Sequence, residues 1–282
     1  MIIGISGKKT VGKDTVGQII QYLIYKNKYK NKIADITLEQ FIHFNNTNQL
    51  IYSLDWQIKK FAAKLKEIVC ILTGCTIQEL EDEEFKNCFM PKEWNIDGRR
   101  ITYRWFLQSL GTDIVRGIHS DTWVNALMRQ YEDVDGYDIQ NEYIRLGGRG
   151  VGTPQDKILN DKIQIKLKEF IAKNTSNWII TDTRFKNEFN AIKSRKGIVI
   201  RVNRYICKCC GETNNISIIR RDNYIYSYKC NECHHINKMD THPSEISLDD
   251  AKFDYVIDNT SSIERLIYQV KQILIKENII TK

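Results

Sequence analysis

The sequence predicts an α/β fold in which helices flank a parallel β-sheet. Two observations support this prediction: short apolar runs alternate with stretches of helical periodicity, and the first run leads into a glycine-rich loop. A third observation, a cluster of cysteines late in the chain, predicts a small metal-binding module inserted into that fold. We therefore expect a core of residues 1 to 202 and 241 to 282, a helical insertion at about residues 58 to 130, and the module at residues 203 to 240.

The first strand and the loop after it occupy residues 1 to 15, MIIGISGKKTVGKDT. A short apolar run bounded by glycine is typical of a buried parallel strand. The spacing Gly7-x-x-x-x-Gly12-Lys13 is that of a phosphate-binding loop, in which backbone N–H groups surround a phosphate and the lysine reaches the β and γ oxygens. Glycines are needed because a Cβ atom would block that close approach. The loop predicts an ATP site formed by Gly7, Gly12, Lys13, Asp14 and Thr15.

A helix should follow this loop, because its N-terminus adds partial positive charge at the phosphate. Apolar residues do recur at helical spacing over residues 16 to 24. The position after the lysine is normally Ser or Thr, which binds magnesium, whereas here it is Asp14. Two alternatives stay open: Asp14 holds the metal through water, or Thr15 contacts the α-phosphate.

The next part of the chain alternates exposed and helical patterns. Residues 26 to 50 are polar and predict an exposed connection with at most a short helix at 38 to 44, or alternatively a strand hidden at 32 to 36. Helical spacing returns at residues 58 to 72 and again at 104 to 116. Ser120 or Asp121 can cap a further helix that carries Trp123.

The glycine-rich stretch at residues 132 to 157 predicts a mobile loop. A second phosphate loop at residues 146 to 154 is the alternative, although no buried strand precedes it and no Lys-Ser/Thr follows it.

Three later apolar runs predict further strands at residues 178 to 181, 198 to 202 and 255 to 257. Ligands of doubly wound sheets bind at the carboxyl ends of strands, so Asp182 and Arg184 are expected at the site. The alternative is that Asp182 caps the helix predicted at 186 to 195. An amphipathic helix over residues 263 to 274 closes the chain.

Composition limits the class of protein. A chain of 282 residues can bury a sizeable core, and its formal net charge of +7 suits anionic partners, either nucleotides or nucleic acid. No apolar run approaches the roughly 18 residues of a membrane span. The short apolar start leads directly into the loop and does not resemble a secretory signal. We expect a soluble protein of a cytosol-like compartment.

The cysteine module contains Cys207-x-x-Cys210 and Cys230-x-x-Cys233, separated by nineteen residues. This spacing is typical of two knuckles that bind one tetrahedral zinc ion, and a site with four protein ligands is closed and therefore structural. Disulfides are the competing interpretation, which the missing signal disfavours. Three neighbours are alternatives for one of the ligands: Cys209, His234 and His235.

Four segments in order resemble one enzyme family: GKKTVGKDT at 7 to 15, YRWFLQSLGTDIVRGIHSDTWV at 103 to 124, IITDTRFKNE at 179 to 188 and THPSE at 241 to 245. They are similar to the deoxynucleoside monophosphate kinases of phages and large DNA viruses. The resemblance runs from residue 1 to about 270, and residues 26 to 50, 130 to 175 and the cysteine module look like insertions. It implies a P-loop NTPase-type sheet, a helical substrate-binding insertion and a zinc module in the position of the lid.

The resemblance implies transfer of the γ-phosphoryl group of ATP to a deoxynucleoside monophosphate, which supplies DNA precursors. ATP, magnesium and a structural zinc ion are the implied cofactors. The implied catalytic residues are Lys13, Asp182 and Arg184. The implied substrate-binding residues are Lys66, Lys92, Arg104, Gln108, Asp113, Trp123 and Glu188. Trp123 either packs against the base or sugar or belongs to the core. The resemblance assigns no role to His242 or Glu245.

Some adenylate kinases carry a similar zinc site in the lid, whereas the short lid of the resembled family lacks one. The positive net charge and the zinc ribbon together favour an alternative function, an ATPase whose zinc ribbon binds nucleic acid. Such a motor needs a water-activating glutamate after the strand IITD, and none is evident. A nucleotide sensor without catalysis is a third alternative. We expect small-molecule partners, no membrane and no nucleic acid, with a homodimer left open. The expected location is the cytoplasm, meaning the host cytoplasm or viral factory for a viral protein.

Overall fold

The computed structural model describes residues 1–30, 32, 35–50, 54–132, 143–147, 159–160, 162–167, 177–213, 215–221, 224–238 and 242–281. Most of the loop predicted at residues 132 to 157, including nearly all of its alternative phosphate loop, lies outside these residues. Part of the alternative strand at 32 to 36 and the first residue of THPSE, Thr241, also lie outside them.

The core is a parallel sheet of five strands in the order β2-β3-β1-β4-β8. A separate antiparallel sheet has the order β5-β6-β7. The strands are β1 Ile2–Ser6, β2 Trp56–Lys59, β3 Asn177–Thr183, β4 Ile198–Asn203, β5 Ile216–Arg221, β6 Tyr224–Cys230, β7 Ile236–Lys238 and β8 Tyr255–Asp258. The α/β prediction and the strands predicted at the later apolar runs are thereby confirmed.

Helices cover both faces of the parallel sheet. They are α1 Lys13–Tyr29, α2 Leu38–Asn46, α3 Ala63–Thr73, α4 Ile77–Glu81, α5 Glu83–Asn87, α6 Tyr103–Gln108, α7 Val115–Ile118, α8 Thr122–Glu132, α9 Lys186–Ser194, α10 Pro243–Ile246 and α11 Ile263–Lys276. Side chains of β1 alternate between the two layers: Ile3 and Ile5 pack with α1 and α11, whereas Ile2 packs on the opposite face. No helix of the described residues is long and apolar enough to span a membrane.

Strand β2 corrects the helix predicted from residue 58. Its four residues pair in parallel with β3, Ile58 opposite Ile179, and the helix begins only at Ala63. Trp56 is the buried residue of this edge strand. A run this short gives little periodicity of its own, so the helical pattern after it conceals the strand.

Residues 26 to 50 contain the short helix predicted at 38 to 44, which spans Leu38–Asn46 in the structure. Helix α1 continues to Tyr29, and α2 begins at a capping box of Thr37 and Gln40. Phe41 of α2 is fully buried and contacts the rings of Tyr22 and Tyr25. Most other described residues of the segment are exposed or half-buried, as their polarity predicts.

The helix predicted at 104 to 116 is one rod of three parts. Helix α6 begins at the N-cap Thr102, and a π-helical turn, Ser109–Ile114, joins it to α7. A Cβ atom on Gly111 of this turn would lie 2.5 Å from Leu65 Cδ2, so α3 approaches the rod closely there. Single π-helical turns are frequent at functional sites, and this one faces the cavity described next.

Candidate active site and metal centre

A cavity of about 510 Å³ lies beyond the carboxyl ends of β1, β2 and β3. Parallel sheets bind ligands at this edge. Eleven of the predicted site residues line it: Gly12, Lys13, Asp14, Thr15, Lys66, Arg104, Gln108, Trp123, Asp182, Arg184 and Glu188. Gly7 lies under the loop, and Lys92 and Asp113 are exposed residues outside the lining. The fold therefore gathers most of the predicted residues around one space.

The loop between β1 and α1 needs both of its glycines. A Cβ atom on Gly7 would lie 2.6 Å from the carbonyl oxygen of Val202, on the neighbouring strand. Gly12 has φ +90°, and a Cβ atom there would lie 2.6 Å from Asn259 Nδ2. Because a left-handed backbone and close packing both exclude larger residues, the path of the loop depends on these two positions.

Lys13 is curled back onto its own loop. Its Nζ donates to the carbonyl oxygens of Gly7, at 2.9 Å, and Lys8, at 2.7 Å. Burial, with a further contribution from the positive charge of Arg184, lowers the pKa of Lys13 to about 8. The Lys13 ammonium is held only by neutral carbonyl oxygens and is destabilised by burial. An anion that reaches it would therefore stabilise its charged form.

Asp14 faces the same space from the first turn of α1. One oxygen accepts a hydrogen bond of 2.6 Å from Thr181 Oγ1, and the carboxylate lies 3.4 Å from Lys60 Nζ. Burial raises the pKa of Asp14. The charge of Lys60 and the hydrogen bond from the Thr181 hydroxyl outweigh burial, so the net effect is a lowered pKa. The side chain is 64% exposed and ionised, which suits a carboxylate that meets a hydrated cation.

Asp182 links the end of β3 to the start of α3. Its two oxygens accept the backbone N–H groups of Phe61, at 2.8 Å, and Ala62, at 2.9 Å. A carboxylate at a helix N-terminus satisfies free donors and matches the helix dipole. Asp182 therefore caps α3 from across the sheet, and not the helix α9 that follows it in sequence.

Arg184 and the glycine loop share one carboxylate, that of Glu245. Glu245 pairs with the Arg184 guanidinium through one oxygen and accepts the Lys9 backbone N–H at 2.7 Å through the other. Its side chain is only 5% exposed. The geometry thus joins β3, the loop and α10 at a single buried group.

Glu188 is buried beside the cavity at the start of α9. It forms an ion pair with Arg116 and accepts the backbone N–H groups of Arg184 and Phe185. Burial, and then the negative charge of Asp182, raise the pKa of Glu188 to about 7 against the opposite effect of Arg116. The carboxyl group thus fixes Arg116 and the turn that carries Arg184.

A second group of cations faces the loop across the cavity. In the ligand-free chain two carboxylates neutralise them: Glu81 lies 2.7 Å from Lys66 and 3.2 Å from Lys60, and Glu83 lies 2.6 Å from Arg104. Glu83 also pairs with Lys86. These contacts are partly exposed, so each is individually weak and sensitive to salt.

Trp123 closes the apolar end of the cavity. Its indole Nε1 donates to the carbonyl oxygen of Gly111 at 2.9 Å, and the residue is 4% exposed. The interpretation of Trp123 as a core residue is therefore confirmed, and the residue also lines the cavity. Gln108 lines the same end from helix α6.

The metal centre is a cluster of Cys207, Cys210, Cys230 and Cys233, whose sulfur atoms all lie within 4.8 Å of one another. Zn–S bonds of about 2.3 Å in a tetrahedron separate sulfurs by about 3.8 Å. Two of the S···S distances are 3.4 and 3.6 Å, between Cys207 and Cys233 and between Cys210 and Cys230. The donor set and spacing fit one closed, structural zinc ion. The possible substitutes Cys209, His234 and His235 are not in the cluster.

The sulfurs of the cluster influence one another's ionisation. Backbone hydrogen bonds lower the pKa of Cys210 and of Cys233, but burial and hydrogen bonds to the neighbouring cysteines outweigh them and raise the pKa of both. Burial acts in the same direction on Cys207, but hydrogen bonds from the backbone N–H groups of Cys210 and Cys209 outweigh it and lower the pKa of Cys207 to about 6. Asn237 Nδ2 lies 3.7 Å from the same sulfur. Such donors orient thiolate ligands and favour the charged form. None of the described residues of the cysteine module lines the cavity.

Several residues of the cavity have no signal in the sequence. Lys60 belongs to a helical pattern that reads as a solvated face, and Arg116 and Glu245 sit in matching segments without an assigned role. Their partners are distant: Arg116 is 72 residues from Glu188, and Arg184 is 61 from Glu245. Only the fold brings these groups together.

Comparison with known proteins does not place the chain in a family. No protein-family model matches it, and no curated protein matches it. Its function is therefore argued from the cavity and the metal centre.

Proposed function

We propose that the protein is a P-loop nucleotide kinase that transfers the γ-phosphoryl group of ATP to a deoxynucleoside monophosphate. The observation that carries this proposal is that two groups of cations line one cavity. The first is the glycine loop with Lys13 and Arg184, and the second contains Lys66, Lys86 and Arg104. Phosphoryl transfer requires a donor and an acceptor phosphate held in line, which two such groups can supply.

In this proposal the loop N–H groups, the start of α1 and Lys13 bind the phosphates of ATP. Lys13 would leave the carbonyl oxygens of Gly7 and Lys8 for the β and γ oxygens, and negative charge would restore its ionisation. Arg184, beside Lys13, would neutralise charge that spreads over the transferred phosphoryl group. The protein performs little covalent chemistry and mainly positions charge.

Magnesium, when bound with ATP, would neutralise phosphate charge. Asp14 fits a role toward it better than Asp182, because Asp14 is exposed to the cavity whereas Asp182 uses both oxygens on backbone N–H groups. Thr15 lines the cavity and can approach the phosphates. Asp182 then acts by holding the α3 N-terminus, with Lys60 and Lys66 near it, at the site.

The acceptor would lie between the second cationic group and Trp123. Lys66, Lys86 and Arg104 suit its phosphate, and the apolar surfaces of Leu65, Leu107 and Trp123 suit a base or sugar. Lys92 and Asp113, which the resemblance also implies, do not line this space. We propose that the zinc module is a structural appendage of the kinase core, corresponding in chain position to a lid.

The test is an assay of the purified chain with ATP, magnesium and each of the four deoxynucleoside monophosphates, with ADP as the readout. Turnover of at least one acceptor is expected, and Lys13→Ala should lower it by roughly 10³-fold or more because a transition-state cation is lost. Circular dichroism of the variant shows whether it is folded. ATP hydrolysis that needs no acceptor, or near-normal turnover in folded Lys13→Ala, would refute the proposal.

The alternative, an ATPase that binds nucleic acid, has one supporting observation: Lys208 and Lys238 are exposed on the cysteine module. ATP turnover stimulated by DNA or RNA, and not by a monophosphate, would favour it. Two groups of cations that line one cavity favour the kinase.

A further inference from the structure

Glu245 lies on α10, in the segment that follows the cysteine module. Its carboxylate is almost fully buried and joins two elements of the cavity, the Arg184 side chain and the Lys9 backbone N–H. A buried carboxylate is stable only when it is paired and hydrogen-bonded, and both conditions are met here. Glu245 is therefore the residue that links the Arg184 side chain to the Lys9 N–H group.

The same segment holds the loop a second time. Lys8 Nζ donates to the carbonyl oxygen of Glu245 and lies 2.6 Å from Asp249 Oδ2. Asp249 is buried and also pairs with Arg201 of β4 at 3.0 Å. Two consecutive loop residues, Lys8 and Lys9, are therefore fixed by residues 245 to 249. The loop's position relative to the sheet depends on this segment.

The Arg184 side chain is 31% exposed, and its guanidinium is held by the pairing with the buried Glu245 carboxylate. Glu245 engages the Nη1 group, so the remaining guanidinium N–H groups can face a ligand. Lys13 is close enough to both groups for their charges to act on it: Arg184 lowers the pKa of Lys13, and Glu245 raises it. The carboxylate thus holds the Arg184 guanidinium beside the loop that carries Lys13.

We infer that Glu245 is a positioning residue, which holds Arg184 and the Lys9 amide in one fixed arrangement so that loop and arginine act on the same phosphoryl group. This inference rests on the proposed kinase function. It does not require Glu245 to touch a substrate. Displacements of about 1 Å at such a site can cost about 10²-fold in rate, which sets the size of the expected effect.

The experiment compares Glu245→Gln with Asp250→Asn in the full chain. Asp250 pairs with Lys186 at 2.8 Å and joins the same two parts of the chain, but this pair is exposed and outside the cavity. Glu245→Gln should lower kcat by 10- to 100-fold and change the KM for ATP less than threefold, whereas Asp250→Asn should change neither. Arg184→Gln and the double variant Arg184→Gln/Glu245→Gln should have the same kcat, because the two groups act as one unit.

A kcat of Glu245→Gln within twofold of the wild type would overturn the inference, as would a double variant whose loss is the product of the two single losses. Where Glu245→Gln does not fold, Glu245→Asp keeps the charge but is one methylene shorter, and a similar loss of kcat is expected. The Lys9 amide resonance of ¹⁵N-labelled protein gives a readout without turnover. It should shift in Glu245→Gln and not in Asp250→Asn. If the wild type has no kinase activity but the Lys9 amide shifts in Glu245→Gln, only the kinase proposal is refuted. If the wild type is active but the Lys9 amide does not shift in Glu245→Gln, the positioning role is refuted.

Discussion

Arg116 and Glu188 form an ion pair that ties the rod of α6 and α7 to α9. The Arg116 guanidinium lies 3.9 Å from the centre of the Phe185 ring, and its Nη2 contacts Glu188 Oε1. Glu188 side-chain exposure is 3%, so the carboxyl group depends on this partner. The pair fixes one wall of the cavity before any ligand arrives.

Arg116→Gln should therefore destabilise the protein in a pH-dependent way. Without the guanidinium the folded pKa of Glu188 rises above its present value of about 7, while the unfolded pKa remains 4.5. The folded state then binds more protons than the unfolded state, and the free energy of unfolding falls as pH rises from 4.5 through the folded pKa. The loss should approach about 1.4 kcal/mol per pH unit within that window.

Urea unfolding at pH 5 and pH 8 measures this effect. The double variant Arg116→Gln/Glu188→Gln has no carboxyl group to titrate at position 188 and serves as the control, so its free energy of unfolding should change less between pH 5 and pH 8 than that of the wild type or of Arg116→Gln. Equal losses for Arg116→Gln at pH 5 and pH 8 would contradict the interpretation.

ATP affinity should decline above pH 8 because of Lys13. Burial lowers its pKa to about 8 in the free protein, and a bound phosphate raises it again. Binding is then coupled to proton uptake, so affinity is constant below pH 8 and falls by up to about tenfold per pH unit until the pKa of the complex is reached. Calorimetric titration with ATP between pH 7 and 10 measures the slope. Lys13→Arg stays charged and should show a flat profile, and a flat profile in the wild type would show that Lys13 is not the binding cation.

Glu83→Gln should increase the affinity for the acceptor. In the free chain Glu83 pairs with Arg104 and Lys86, and these cations lower its pKa to about 2 despite the opposing effect of partial burial. A phosphate must compete with this carboxylate, and an exposed pair is worth about 0.2–1 kcal/mol, so the KM for the monophosphate should fall by roughly 1.4- to fivefold. The matched control is Glu84→Gln, which alters the exposed neighbouring residue. A rise in KM would mean that Glu83 positions Arg104 instead of competing for it.

Removal of the metal should loosen the module and leave the sheet intact. Replacing Cys230 and Cys233 with serine should release one equivalent of zinc and increase hydrogen exchange in β5 to β7, since the metal supplies folding free energy there. Cys209→Ser, in the same knuckle but outside the cluster, should keep the zinc. ATP should still bind, while turnover should fall because residues 242 to 249 follow the module and hold the loop. Protein prepared without chelator or oxidant that contains no zinc would contradict the metal assignment.

The sequence predicts those parts of the fold whose signal is local. The strands β3 and β4 are isolated apolar runs, and the glycine loop has a fixed spacing, so both are predictable. Strand β2 is not, because its place is set by pairing with β3, about 120 residues later, and not by its own pattern. Helix α2 is predicted as a short helix at 38 to 44, but the burial of Phe41 is not, since Phe41 becomes a core residue only when α2 packs on α1.

The site divides in the same way. Lys13 and Asp14 follow from a motif, and the cluster of four cysteines follows from two short Cys-x-x-Cys repeats. The function of Asp182 as a cap for α3 and the pairing of Arg184 with Glu245 depend on three-dimensional contacts that no spacing encodes. The sequence pattern places Lys60 on a solvated helix surface. Its place in the cavity becomes evident only from its contacts with Asp14 and Glu81 in the fold.

The contact between Glu245 and the Lys9 amide spans 236 residues of chain. During synthesis at about 5 to 20 residues per second, the loop is therefore made roughly 12 to 47 s before its buried anchor leaves the ribosome. Strand β1 faces a similar delay, because its neighbours β3 and β4 begin only at Asn177 and Ile198. The nascent first strand therefore has neither of its two neighbouring strands until β3 has been synthesised.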